Sequence, residues 1–190
     1  MKIDLTEIYK GLAEWRAERG ITAESQKAGY LVNVMEELGE LATALREYER
    51  FSKLSYPYQK NKKYAEHGII DALCDISVFT INAGADIPCY NKPTRLELEP
   101  CLSLDNLLKE IADHQRCFNS ITLCYVLGVC ASLCHQYGFD FQKAMDETIK
   151  EISSRIGSYD EVSKKWIKDE SEEAKAKWYQ ANYELARIAQ

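Results

Sequence analysis

The sequence predicts an all-α fold on three observations. Apolar residues recur at three- and four-residue spacing through most of the chain, period-two alternation never persists, and three of the four prolines crowd into one stretch. A chain of 190 residues is long enough for one sizeable core. The expectation is therefore a single domain over 1–190, a helical bundle packed in antiparallel pairs, with 153–190 as a C-terminal extension placed to cover a site.

The elements follow in order. Ile3, Ile8, Leu12 and Trp15 are helically spaced in a first helix that Gly20 stops. A second helix runs from Thr22 or Ser25 to Arg50, with Leu31, Val34, Met35, Leu38, Leu41, Ala42 and Leu45 as its apolar stripe. Residues 51–64, with Pro57 and the basic run Lys60, Lys62 and Lys63, read as an exposed connection. Residues 65–87 form a third, apolar helix interrupted only by carboxylates, His67 and glycines. The proline-rich stretch that follows, up to Pro100, reads as loop. Ser103 is the N-cap of one long helix, or of two abutting ones, continuing to Gly138. Residues 139–157 give another helix, 158–171 a charged, mobile-looking segment, and 172–188 a final helix.

Charge and cysteine content exclude several classes. With Lys+Arg 24 against Asp+Glu 30 the formal charge is -6, which gives no electrostatic basis for broad binding to nucleic acid or anionic membrane. The N-terminal residues are charged and lack a signal-peptide core, and no apolar run is long enough to span a bilayer, so a cytoplasmic protein is expected. The seven cysteines lack CxxC pairs and suitably placed histidines. Cys74, Cys117, Cys124, Cys130 and Cys134 sit in apolar patterns and read as reduced, buried side chains rather than zinc ligands.

Two stretches stand out, "VMEELGE" at 34–40 and "IIDALCDI" at 69–76. Helical spacing lets Glu37 and Glu40, with Glu36 beside them, share one edge of the second helix, while Asp71 and Asp75 share a face of the third. The first motif alone also suits a solvated helix edge. Asp75, amid Leu73, Cys74, Ile76, Val78 and Phe79, is harder to place in solvent. Like charges one turn apart repel, and an inward-facing carboxylate cluster needs neutralisation, for which a hard divalent cation with oxygen ligands is suited. Mg2+ is the expectation, with Mn2+ as its alternative.

These residues resemble the all-α nucleoside triphosphate pyrophosphohydrolase superfamily, the MazG-like proteins with their dimeric dUTPase and phosphoribosyl-ATP pyrophosphohydrolase relatives. That family's pattern is EExxE on one helix and ExxD on the next, and "EELGE" at 36–40 matches the first half. The second half departs from it. The expected glutamate falls on Ala72 if Asp75 is the family aspartate, or on Gly68 if Asp71 is. The "DALCD" form resembles instead the "DaiGD" variant of phage and bacterial MazG-like proteins, as does "W…ERGI" (Trp15, Glu18, Arg19, Gly20, Ile21). The resemblance spans roughly residues 10–85. It implies that Glu36, Glu37, Glu40, Asp71 and Asp75 are metal ligands or their close supports, and that a nucleoside triphosphate is cut to monophosphate and pyrophosphate.

Glu37 or Glu40 can alternatively orient or deprotonate the attacking water. No Walker-type phosphate cradle occurs, so metals and cations would replace it. Arg155 and Lys168, with Lys164 and Lys165 nearby, are candidate phosphate contacts in a segment able to close over the site; mixed with acids, they equally suit a solvated loop. Asn33, Asn82 and Trp15 are candidate contacts to base, sugar or phosphate, Trp15 also suiting a core position. His67 reads as a bystander, and His114 and His135 receive no role. Surplus apolar surface on the third and fourth helices, together with the resemblance, implies a homodimer or homotetramer, unless Leu107, Leu108, Ile111, Ile121, Leu123, Val126, Leu127 and Leu133 of 104–138 complete the bundle within the chain. Against the enzyme stand two alternatives: a catalytically silent helical interaction module, and a same-fold hydrolase of another phosphate ester such as phosphoribosyl-ATP.

Overall fold

A computed structural model describes residues 2–54, 58–88, 92–99, 102–160 and 165–189. Among them the order is β1 (Lys2–Asp4), α1 (Thr6–Glu18), α2 (Ala23–Ser52), α3 (Gln59–Ala83), β2 (Arg95–Glu97), α4 (Leu104–Cys117), α5 (Ser120–Gln136), α6 (Phe141–Ser154), β3 (Gly157–Asp160), β4 (Lys165–Lys168), α7 (Glu172–Lys175) and a 3-10 turn (Tyr183–Ala186). The protein is all-α in class, with the strands among the described residues confined to two short antiparallel pairs. No helix among the described residues is long and apolar enough to cross a membrane.

The core centres on α3, whose Ile69, Ile70, Leu73, Cys74 and Ile76 are fully buried. It lies between α2, its principal partner, and α5, α6 and α1. Helix starts follow capping chemistry: Thr22 Oγ1 accepts from the Ser25 amide at 3.2 Å, and Asp140 Oδ1 from the Lys143 amide at 3.1 Å. The backbone turns left-handed at Gly20, φ 63°, just past α1, where a glycine carries no Cβ penalty. The stretch 104–136 is two helices. Phe118 adopts φ 41° and Asn119 caps α5 by accepting from the amides of Ile121 and Thr122.

Several expectations are corrected. Ile3 belongs to a strand, not to α1: it pairs with Leu96, both buried, in a part of the proline-rich stretch read as loop. Each strand is only three residues long, and remote pairing defines it. Residues 59–64 open α3 instead of connecting to it, because lysine is a good helix former and Lys62 reaches Glu66 one turn on at 3.9 Å. Pro57 lies outside the described residues. The charged segment is a hairpin with Gly157 opposite Lys168 and Ser158 opposite Ile167; Glu161 and Lys164 lie outside the described residues.

The final helix shrinks to the single turn of α7. Past it, the Ala181 amide donates to Glu151 Oε2 at 2.8 Å and the Asn182 amide to Glu147 Oε2 at 3.0 Å. Amides spent on α6 carboxylates cannot propagate a helix.

The α2 stripe also divides. Val34 and Leu41 are buried and Leu38 and Leu45 pack against the core, but Leu31, Met35 and Ala42 are exposed. The apolar side of α3, read as surplus, is covered within the chain. Leu107, Ile111, Leu123, Val126, Leu127 and Leu133 fill the core from α4 and α5, leaving Leu108 and Ile121 outside. Cys74, Cys130 and Cys134 are buried free thiols, whereas Cys117 is exposed.

Candidate active site

The carboxylates of α2 and α3 are brought side by side by the register of an antiparallel pair. Tyr30 Oη and Thr80 Oγ1 meet at 3.2 Å near one end. At the other end, a Cβ built on Gly68 would lie 3.2 Å from the Ala44 Cβ, so glycine permits the close approach. Between these anchors Glu36 and Glu37 fall opposite Asp75, and Glu40 opposite Asp71. Beside them opens a cleft of about 420 Å³, lined by Glu36, Glu40, Thr43, Glu47, Tyr64 and Asp71 among others.

Each inward group is harder to ionise than a free carboxyl. Burial, reinforced by Glu40, Asp71 and Glu36, pushes Glu37 up to about 7, while Lys168 pulls the other way. Asp71 is raised, first by burial and then by Glu151 and Glu40; the Tyr183 hydroxyl and Arg155 oppose the rise. Asp75 is raised well above the usual carboxylate range by burial, Asp71 and Glu37, with Arg155 again opposing. Glu36 and Glu40 stand at the exposed rim.

Two participants escaped the sequence reading. Tyr183, from the C-terminal 3-10 turn, donates its hydroxyl to Asp71 Oδ1 at 2.6 Å and meets Thr148 Oγ1 at 3.0 Å. Glu151 of α6 adds negative charge near Asp71 and Asp75 while accepting from Arg155 at 2.6 Å. No local pattern marks Tyr183. The i,i+4 spacing of Glu151 and Arg155 was readable, but nothing in it says which face of α6 meets α3.

Of the other candidates, Arg155 and Lys168 act electrostatically on the carboxylates, Arg155 on Asp71 and Asp75 and Lys168 on Glu37. Trp15 is engaged in packing: its indole N–H donates to the Ile152 carbonyl at 3.1 Å, and the Arg19 guanidinium lies 5.3 Å from its ring. Asn33 is half-buried, folded over Gly29. Asn82 is fully buried and accepts from Arg16 at 2.6 Å. His67 meets Glu184 at 2.6 Å and so ties α3 to the tail.

Among the described residues no three His, Cys, Asp or Glu side chains form a ready ligand shell. The carboxylates share an edge without converging on a point. Their chemistry nevertheless fits a hard divalent cation: the donors are all oxygen, they lie on facing helices, and burial, then mutual repulsion, raises the proton affinity of those inside. Family models, curated proteins and solved structures yield no match to the chain.

Proposed function

We propose that the protein is a Mg2+-dependent hydrolase of (deoxy)nucleoside triphosphates, releasing a monophosphate and pyrophosphate and so controlling a nucleotide pool. The observation that carries this reading is the edge-to-edge placement of Glu36, Glu37 and Glu40 against Asp71 and Asp75, with burial and repulsion inside only partly offset by the cations at the border. A fold gains nothing in stability from such crowding, whereas a polyanion bound through divalent cations requires it.

Glu36, Glu40, Asp71 and Asp75 would hold the metal, Mg2+ or alternatively Mn2+, with Glu37 as a further ligand. A bound metal supplies neutralisation of phosphate charge and polarisation of the attacked phosphorus. Glu37, poised near neutrality, or Glu40 would take a proton from the attacking water. Lys168 and Arg155 would meet phosphate oxygens, and Tyr183 fixes the Asp71 carboxyl in one orientation. The MazG-like resemblance supports the same reaction. We place the protein in the cytoplasm as a homo-oligomer.

A second reading, a silent helical interaction module, draws on Ala72 and Gly68, which stand where the resemblance expects a glutamate, and on the lack of a ready ligand shell among the described residues. One assay separates the two. Pyrophosphate and orthophosphate release is measured from canonical dNTPs and NTPs plus dUTP, with Mg2+, Mn2+ or chelator. Metal-dependent pyrophosphate supports the hydrolase; release from none, with no metal-induced rise in thermal stability, supports the silent module. Turnover of phosphoribosyl-ATP alone would move the enzyme to another phosphate ester.

A further inference from the structure

The C-terminal 3-10 turn reaches the carboxylate site from 112 residues further along the chain. Tyr183 is buried, its hydroxyl donates to Asp71 Oδ1 at 2.6 Å, and Thr148 Oγ1 lies 3.0 Å behind it. Thr148 is in turn tied to the Ala144 carbonyl of α6 at 3.1 Å. The phenol has one hydrogen and an ionised carboxylate only accepts, so that hydrogen is committed to Asp71. Thr148 alone would satisfy a buried phenol. What the bond to Asp71 adds is a grip on a carboxylate that lines the cleft. Oδ1 is the oxygen engaged, and among the described residues no hydrogen bond reaches Oδ2. The turn also has anchors independent of this bond. The Asp140 amide donates to the Ala186 carbonyl at 2.7 Å, the Ile188 amide donates to the Gly138 carbonyl at 2.9 Å, and Glu184 accepts from Arg187 at 3.0 Å and meets His67 at 2.6 Å. Tyr183 therefore meets Asp71 from a fixed base.

We propose that Tyr183 is a positioning residue of the divalent-cation site, and that docking of the C-terminal turn and binding of the cation are thereby coupled. The inference rests on the reading that the α2–α3 carboxylates hold a divalent cation, and deepens it by naming what governs the affinity of that site. A carboxylate free to swing has to be ordered when a cation binds, and that ordering weakens binding; one already held by a hydroxyl from outside is pre-organised. Linkage makes the effect reciprocal. By whatever factor the docked turn raises cation affinity, the bound cation strengthens docking of the turn. A terminal turn opens locally more readily than a core helix, so displacement of residues 183–188 weakens the cation site without disturbing α2 or α3.

The test measures Mn2+ binding by electron paramagnetic resonance and calorimetry, without nucleotide, in the wild type, Tyr183→Phe and Glu184→Gln. Tyr183→Phe keeps the packed ring and removes only the hydroxyl. Glu184→Gln weakens the anchor to Arg187 and His67 and changes neither Asp71 nor the Tyr183 hydroxyl. Affinity should fall by about 10- to 100-fold in Tyr183→Phe and by a smaller factor in Glu184→Gln. Saturating Mn2+ should slow hydrogen exchange of the 183–188 amides in the wild type but not in Tyr183→Phe. A structural role alone moves a different quantity: the melting temperature in chelator falls while Mn2+ affinity keeps its wild-type value, and that result overturns the inference. Exchange in 183–188 that ignores Mn2+ in the wild type also overturns it. Should Tyr183→Phe not fold, Glu184→Gln decides, and wild-type affinity there overturns the inference. In each of these cases the wild type still binds Mn2+ and the cation reading stands. A wild type that binds no Mn2+ removes the cation reading itself and this inference with it.

Discussion

At the scale of single residues, Asp75 concentrates the tension of the site. Burial and the charges of Asp71 and Glu37 raise its proton affinity well above the unfolded value. The sign is that of a raised acid: stability is fully present below the unfolded pKa and is lost as pH rises through the folded one. At neutral pH without metal, the carboxylate therefore works against folding. Asp75→Asn should raise the melting temperature in chelator by a few degrees while abolishing turnover and the stabilisation by Mg2+. A melting temperature below that of the wild type in chelator would refute this. His114 carries the opposite bias. It is wholly buried, with Nδ1 2.9 Å from Thr122 Oγ1 and its ring edge-on to Tyr30 and Phe118, and burial holds it down to about 4 against 6.5 unfolded. The unfolded chain thus binds the proton first, and stability falls as pH drops from 6.5 through 4. The loss amounts to about 3 kcal/mol. Urea unfolding of the wild type and His114→Leu across that range should show the wild type losing ground by this amount; parallel profiles would contradict it.

At the scale of elements, what was legible is what is local. Thr22 and Gly20 mark helix ends by their own chemistry, and α2, α3, α5 and α6 follow from apolar spacing. The strands were not legible, because Ile3 has meaning only opposite Leu96, and a three-residue alternation carries no signal of its own. The tail misled for a similar reason: "EEAKAKWYQANYELARI" has helical composition, but Glu151 and Glu147 of α6 capture the Ala181 and Asn182 amides that a helix would need. The site divides along the same line. Glu37, Glu40, Asp71 and Asp75 were visible as i,i+3 and i,i+4 pairs, whereas Tyr183 reaches Asp71 across the fold and leaves no trace in spacing. The β3–β4 hairpin, whose Lys168 borders Glu37, yields a prediction of its own. A Cβ at Gly157 would sit 2.2 Å from the Ile167 carbonyl oxygen, so the strands can close only on glycine. Gly157→Ala should open the hairpin, increase limited proteolysis within 157–168 and raise KM for the nucleotide severalfold, with the helical circular dichroism unchanged. Unaltered cleavage and KM would remove the hairpin from substrate binding.

At the scale of the whole molecule, the proposed homo-oligomer has to find its surface. The apolar side of α3 cannot provide it, being buried by α5, α6 and α1 within one chain. Exposed apolar residues of α2 supply one such surface: Leu31 at 48%, Val32 at 71% and Met35 at 60% exposure, with Ala28 and Ala42 on the same side of the helix. Leaving them in water sacrifices hydrophobic stabilisation that a symmetric second copy would recover. Met35 is followed at once by Glu36, so a partner seated there would border the carboxylate cleft and help exclude solvent from it. The substitutions Leu31→Arg and Met35→Arg together place two charges in that contact and touch nothing in the core. Sedimentation velocity should show the wild type as a dimer or tetramer and the double variant as a monomer with the same helical content. Turnover should fall with assembly if the partner shapes the cleft. A wild type that stays monomeric at high concentration would refute the oligomer and leave the α2 face to some other partner.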